Sequence, residues 1–283
     1  MPTPQLFTLT LLTMLAFAGN SVLCRLALAQ SAIDAASFTG IRLLAGALVL
    51  WLLVRAKARH APRQGSWLSA AMLFLYAAGF SYAYLSLPTG TGALLLFGAV
   101  QATMLGWAMY SGERLQALQL CGLMVALAGL VGLMLPGLSA PPLFGSLLML
   151  LAGVAWGVYS LRGKGASDPT AVTAGNFLLA VPFAVVLSLL MYRDTSLDVA
   201  GVIYAIASGA ITSGLGYALW YRVLPLLRST TAATIQLSVP VIAALAGVVF
   251  LGEAITLRLA LASVAILGGI ALVILNKQAP QRS

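Results

Sequence analysis

Few side chains in this sequence could do chemistry, and their spacing suits binding rather than bond-making. Five polar groups interrupt long apolar runs: Asn20, Arg42, Gln101, Asn176 and Gln236. Alongside them runs an aromatic pattern. Trp156, Tyr159 and Ser160 stand at i, i+3, i+4, and Tyr217, Trp220 and Tyr221 repeat the spacing. On a helix that spacing puts three side chains on one face. Tyr76, Tyr82 and Tyr84 crowd another apolar run, and Trp107 lies in the next. Such stripes can stack a planar ring while their N–H and O–H groups orient it. Trp and Tyr are also enriched at membrane interfaces, and Trp51, Trp67, Tyr110 and Tyr192 fall at run ends where that role is expected.

Catalytic groupings are missing. The single histidine, His60, lies in a basic loop, and Cys24 and Cys121 lie inside apolar runs as small hydrophobes. The six acids (Asp34, Glu113, Asp168, Asp194, Asp198 and Glu253) all fall near run ends. A nucleophile with its base, or a metal set, would be needed for an enzyme. The expectation is therefore no enzyme, no metal and no cofactor.

The surroundings of these residues set the solvent. Of 283 residues, 61% are apolar and only 7% charged, against about 25% charged in a soluble domain. So few charges cannot cover a soluble surface, and lipid is the fitting partner. The net charge of +9 sits mostly between apolar runs, where it sets orientation and meets anionic head groups. No aromatic-interleaved basic patch points to nucleic acid.

Ten segments of spanning length or close to it can be marked. They cover 6–26, 34–54, 67–87, 91–110, 115–135, 143–161, 171–191, 199–221, 230–250 and 257–275, with Gly, Pro or charge in nearly every gap. Segment 1 lacks the basic start of a signal peptide, so it counts as a span. With the N-terminus cytoplasmic, eleven Lys or Arg face inward and three outward, Arg42 lying within segment 2. Both termini are expected on the cytoplasmic side of an inner (plasma) membrane.

The chain is also written twice. Tyr84-Leu85-Ser86-Leu87-Pro88 answers Tyr221-Arg222-Val223-Leu224-Pro225, Ala93 answers Ala233, and Gly112-Glu113 answers Gly252-Glu253. Arg42 matches Asn176. Two units follow, 1–137 and 138–283, of five spans each. Five is odd, so the second unit enters from the opposite side, an arrangement many secondary transporters use for alternating access.

Two five-helix halves, each closing with Gly-Glu before a Gly-rich last helix, resemble the EamA-type transporters of the drug/metabolite transporter superfamily. The residues are Gly112-Glu113 with Gly122, Gly129 and Gly132, and Gly252-Glu253 with Gly268-Gly269. Within that family, Gly19-Asn20-Ser21-Val22-Leu23-Cys24-Arg25 followed by Arg42 is similar to bacterial aromatic amino-acid exporters of the YddG type. The resemblance implies an all-α integral membrane transporter of ten helices. It implies an exporter of small apolar metabolites, aromatic amino acids first, or else a broad drug and metabolite exporter.

Asn20, Arg42, Tyr76, Tyr82, Gln101, Trp156, Tyr159, Asn176, Tyr217, Trp220 and Gln236 are the candidate substrate contacts. Each polar member has an ordinary alternative in helix–helix hydrogen bonding. A cation within a span costs roughly 2.5–3.5 kcal/mol. Arg42 can hold a substrate carboxylate, but snorkelling outward or pairing with Asp34 is the simpler expectation. Pro88, Pro225 and Pro240 are candidate hinges, and Pro182 a passive kink. The glycines of segments 5 and 10 permit close helix contact, as scaffold or as a homodimer surface. No acid lies at mid-depth, which favours facilitative export over coupling through a buried carboxylate.

Overall fold

The computed structural model describes residues 3–57, 64–112, 115–137, 140–164, 166–227, 232 and 235–275. Among them there is no strand, and ten main helices follow in order, with a short 3₁₀ turn at Tyr192–Asp194 between the seventh and eighth. They are α1 (Thr3–Gln30), α2 (Ala35–Lys57), α3 (Trp67–Tyr84), α4 (Thr89–Tyr110) and α5 (Ala117–Met134). Then come α6 (Leu143–Gly163), α7 (Pro169–Leu190), the composite α8 (Val199–Leu226), α9 (Ser238–Leu251) and α10 (Leu257–Leu275). Eight are long and apolar enough to cross a membrane. The 18-residue α3 falls outside those eight, and the 14-residue α9 is a shorter apolar helix. Apolar side chains cover the outside as well as the core: Leu44, Leu151, Val186 and Val264 are all exposed. A helix apolar all round is what lipid selects.

Helix ends carry the polar chemistry. Ser66 caps α3 by accepting from Ser69 N–H, and Asp168 caps α7 by accepting from Ala171 N–H. Asp34 takes the amides of Ser37 and Ser196 at 2.9 and 3.0 Å. Burial opposes its ionisation, but hydrogen bonds from Ser37, Ser196 and Ala36 win and hold its carboxyl below the ordinary value.

The Gly252-Glu253 pair has a specific role. Gly252 adopts φ +66° at the end of α9. Its N–H returns to Val248 O, and Glu253 N–H returns to Gly247 O. This two-bond C-terminal cap favours glycine at the left-handed residue. Glu253 is thereby delivered to a fixed place just past the helix. Gly112 ends α4 with φ +93°; Glu113 and His60 lie outside the described residues.

The helix pairs form a regular set. α2 packs on α7, α4 on α9 and α5 on α10. α3 packs on α6 and α1 on α8; α4 packs on α6 and α1 on α9; α2 packs on α8 and α3 on α7. Exchanging the first five helices with the last five maps this set onto itself. The α5–α10 pair uses the expected glycines: a Cβ on Gly122 would strike α10 at Gly269, and one on Gly129 would lie 2.7 Å from Ala265 Cβ. A homodimer through these helices would have to use their outer faces, where Gly132 and Gly268 stand clear.

Two interruptions matter. In segment 9, helical Ile235 and Gln236 give way to a turn at Leu237, and α9 restarts at Ser238. Pro240 has no N–H for the carbonyl of Gln236, so the break falls where that proline predicts it. The start anticipated at 230 lies outside the described residues. The second interruption was not anticipated. α8 runs as an α-helix over Val199–Ala207, a π-helix over Ser208–Leu215, then an α-helix over Gly216–Val223. Gly209, in the π-turn, lies directly on the α2 backbone at Arg42, leaving no room for a Cβ. π-segments frequently mark functional sites.

Candidate functional site: a central aromatic cavity

A cavity of about 1610 Å³ runs into the bundle. It opens among the ends of α4, α6, α8 and α10 and the start of α5, beside Ser111, Gln116, Lys164 and Leu227. Its inner wall is aromatic: Phe17 of α1, Tyr76 and Phe80 of α3, Trp156 of α6, and Tyr217 and Trp220 of α8. Trp156 stacks on Tyr217 with centroids 5.2 Å apart and meets Tyr76 at 4.8 Å. Phe17 meets Tyr217 and Trp220 edge-on, each at 5.9 Å. Such a wall can take an apolar or planar group.

One polar network crosses that wall. Asn20 Oδ1 accepts from Ser208 at 2.8 Å and from Thr212 at 3.3 Å. Asn20 Nδ2 donates to Tyr76 Oη at 3.1 Å, and Arg42 Nη2 donates to the same oxygen at 2.9 Å. The π-turn of α8 supplies both hydroxyls, which explains its position. No spacing within α8 announced Ser208 and Thr212 as partners of Asn20, because the link joins residues 188 and 192 apart.

Seven candidates line the cavity together: Asn20, Tyr76, Gln101, Trp156, Tyr217, Trp220 and Gln236. Phe97 and Met104 join Gln101 on the stripe read from segment 4. Four do not line it. Arg42 lies one side chain behind, among Tyr76, Phe80 and Cys24. The expectation that it snorkels or pairs with Asp34 is wrong: Arg42 is 2% exposed and bonds across to α3, while Asp34 caps α2. Distance along one helix showed only Asp34, whereas the actual partner is on another helix. Tyr82 is partly exposed, on the side of Asp34 and Asp194, away from the cavity. Tyr159 and Asn176 bond each other at 3.4 Å, and Asn176 Oδ1 accepts Ser66 N–H at 2.9 Å, tying α6 and α7 to the start of α3.

The far end is shut. Arg25 Nε lies 3.4 Å from Glu253 Oε1, and Arg25 Nη1 donates to the carbonyls of Tyr84 and Leu85 at 2.7 and 3.1 Å. Glu253 Oε2 accepts Thr89 N–H at 2.7 Å. One ion pair therefore ties α1 to the α3–α4 turn and the α9–α10 turn. Pro88 sits within this closure as the extended residue before α4. Pro225 lies at the open end, in the 3₁₀ turn Leu224–Leu226 that finishes α8.

Comparison with known proteins agrees with this architecture. Residues 143–275 match the EamA-like transporter family. An uncharacterized protein of Pseudomonas aeruginosa is 56% identical over 275 residues, covering 97% of this chain and 96% of its own length. An uncharacterized transporter of Archaeoglobus fulgidus is 26% identical over 83% of this chain and 85% of its own. The threonine/homoserine exporter RhtA of Salmonella typhimurium is 29% identical over 79% of this chain and 76% of its own. A solved crystal structure superposes with a TM-score of 0.67 at 22% identity, covering 96% of this chain and 99% of that one, so it shares the fold. The chain is a multi-pass membrane protein whose second half matches the EamA-like transporter family.

Proposed function

We propose that this protein exports amino acids or closely similar metabolites by alternating access. The observation that carries the reading is one cavity lined by nine aromatic side chains, six of them forming its inner wall, open at one end and latched by Arg25–Glu253 at the other. The self-mapping set of helix pairs supports two five-helix repeats, 1–137 and 138–283, inserted in opposite senses. The open end carries Lys164 and Arg222, part of the basic excess that favours the cytoplasmic side of an inner membrane for it and for both termini. On this reading the cavity loads its substrate from the cytoplasmic side.

Two substrate classes have specific support. Aromatic amino acids suit the Phe17–Tyr76–Trp156–Tyr217–Trp220 wall, on which a planar ring can stack. Small polar amino acids are suggested by the similarity to RhtA exporters. Asn20, Gln101 and Gln236 offer polar contacts to either. Binding of phenylalanine, tryptophan and threonine to the purified protein separates them. Tighter aromatic binding, lost in Trp156→Ala, supports the first; tighter threonine binding supports the second.

A further inference from the structure

We infer that Arg42 is the receptor for a carboxylate on the transported molecule, so that this cavity selects free acids over their amides and amines. The inference rests on the amino-acid reading above and makes it narrower. It starts from an uncompensated charge. Arg42 is buried at 2% exposure, and its Nη1 has no hydrogen-bond partner. What surrounds its guanidinium is neutral. Its Cζ stands 5.2 Å from the Tyr76 ring centroid and 5.0 Å from that of Phe80. Its Nη2 reaches a phenol oxygen, and the nearby groups that act on it are Tyr76, Tyr217 and Cys24. Two π faces and one phenol attract a cation but do not neutralise it. A buried charge without a counter-ion is costly, and proteins retain such groups where they do something.

The missing anion has a place to go. Tyr76 and Phe80 face the cavity while packing against the guanidinium, so Arg42 is one side chain from the lumen. Tyr76 Oη marks a point where two donors converge, Asn20 Nδ2 and Arg42 Nη2. A carboxylate oxygen displacing that hydroxyl would receive both. Its second oxygen would reach the free Nη1, completing the two-pronged pairing that guanidinium and carboxylate prefer. Loading would also neutralise the buried cation, coupling substrate arrival to movement of Tyr76.

The test is ligand-induced thermal stabilisation of the full chain in detergent, with L-phenylalanine, L-phenylalaninamide and benzoate as probes. Wild type should be stabilised by phenylalanine and benzoate at concentrations about 30-fold below any effect of the amide, the loss expected when one member of a buried charge pair is removed. In Arg42→Gln that preference should vanish, while the unliganded protein melts no lower than wild type. A merely structural arginine would lower the unliganded melting temperature instead. Arg42→Lys keeps the charge without the fork and should retain a weakened preference, which serves if Arg42→Gln fails to fold. The same acid preference in both variants would overturn the inference, as would a wild type indifferent to the carboxylate. If benzoate stabilises through Arg42 but phenylalanine does not, the amino-acid reading fails and the carboxylate receptor stands.

Discussion

Glu253→Gln should loosen the closed end of the cavity by an amount the geometry sets. The substitution removes one negative charge 3.4 Å from Arg25 and keeps an amide oxygen that can still accept Thr89 N–H. The two side chains are 19% and 16% exposed, so an effective dielectric near 20 is appropriate and the gross attraction is about 5 kcal/mol. Desolvation offsets most of that, and Arg25 keeps its bonds to Tyr84 and Leu85. A net change of about 1–2 kcal/mol is expected, or roughly 5- to 30-fold in the open population. Cys24 is a built-in reporter: it is fully buried beside Arg25, on the helix face that carries Phe17 and Asn20 into the cavity. Cys121 is exposed and is removed as Cys121→Ser. Alkylation of Cys24 by N-ethylmaleimide should then run 5- to 30-fold faster in Glu253→Gln, following the population estimate above. A rate within about twofold of the parent, well short of a 1 kcal/mol change, would refute the idea that this ion pair latches the far end.

Three further outcomes follow. Asn20→Ala strands the buried Ser208 hydroxyl and leaves one acceptor site on Tyr76 Oη unfilled; it should cost about 1–3 kcal/mol, read as a lower melting temperature, and impair substrate binding. Gly209→Ala drives a Cβ into the Arg42 backbone, so it should destabilise by about 1–3 kcal/mol and weaken α2–α8 packing, whereas an unchanged melt would contradict the close approach. Asp34, with its carboxyl held below the ordinary value, contributes stability at neutral pH that is lost as pH falls through that lowered value; Asp34→Ala should lose about 1 kcal/mol of cap energy at pH 7 and show a smaller loss on acidification.

The architecture was legible because lipid imposes a simple rule on every span. Segment ends agree with the helices within four residues, apart from the start of segment 9, which falls outside the described residues. The stripes of segments 4, 6 and 8 did reach the cavity through Gln101, Trp156, Tyr217 and Trp220. What failed was which face of a helix looks inward when both faces are apolar. Tyr76 and Tyr82 share α3, yet Tyr76 lines the cavity and Tyr82 does not. Arg42 was misjudged for a related reason, since its partner Tyr76 lies 34 residues away on another helix. The π-turn left no periodic signal, because Ser208 to Leu215 mixes small and apolar residues that suit either helical winding. Glu253 was visible as a motif, but its pairing with Arg25, 228 residues distant, required the fold.

The central claim is that an amino acid crosses the membrane through this aromatic-walled cavity. Flux of labelled phenylalanine, tryptophan and threonine should be measured in proteoliposomes of the purified protein, with and without an imposed proton gradient. The account predicts saturable flux of at least one of the three, insensitive to the gradient and abolished in Trp156→Ala. Flux no greater than in protein-free liposomes, or undiminished in Trp156→Ala, would contradict it.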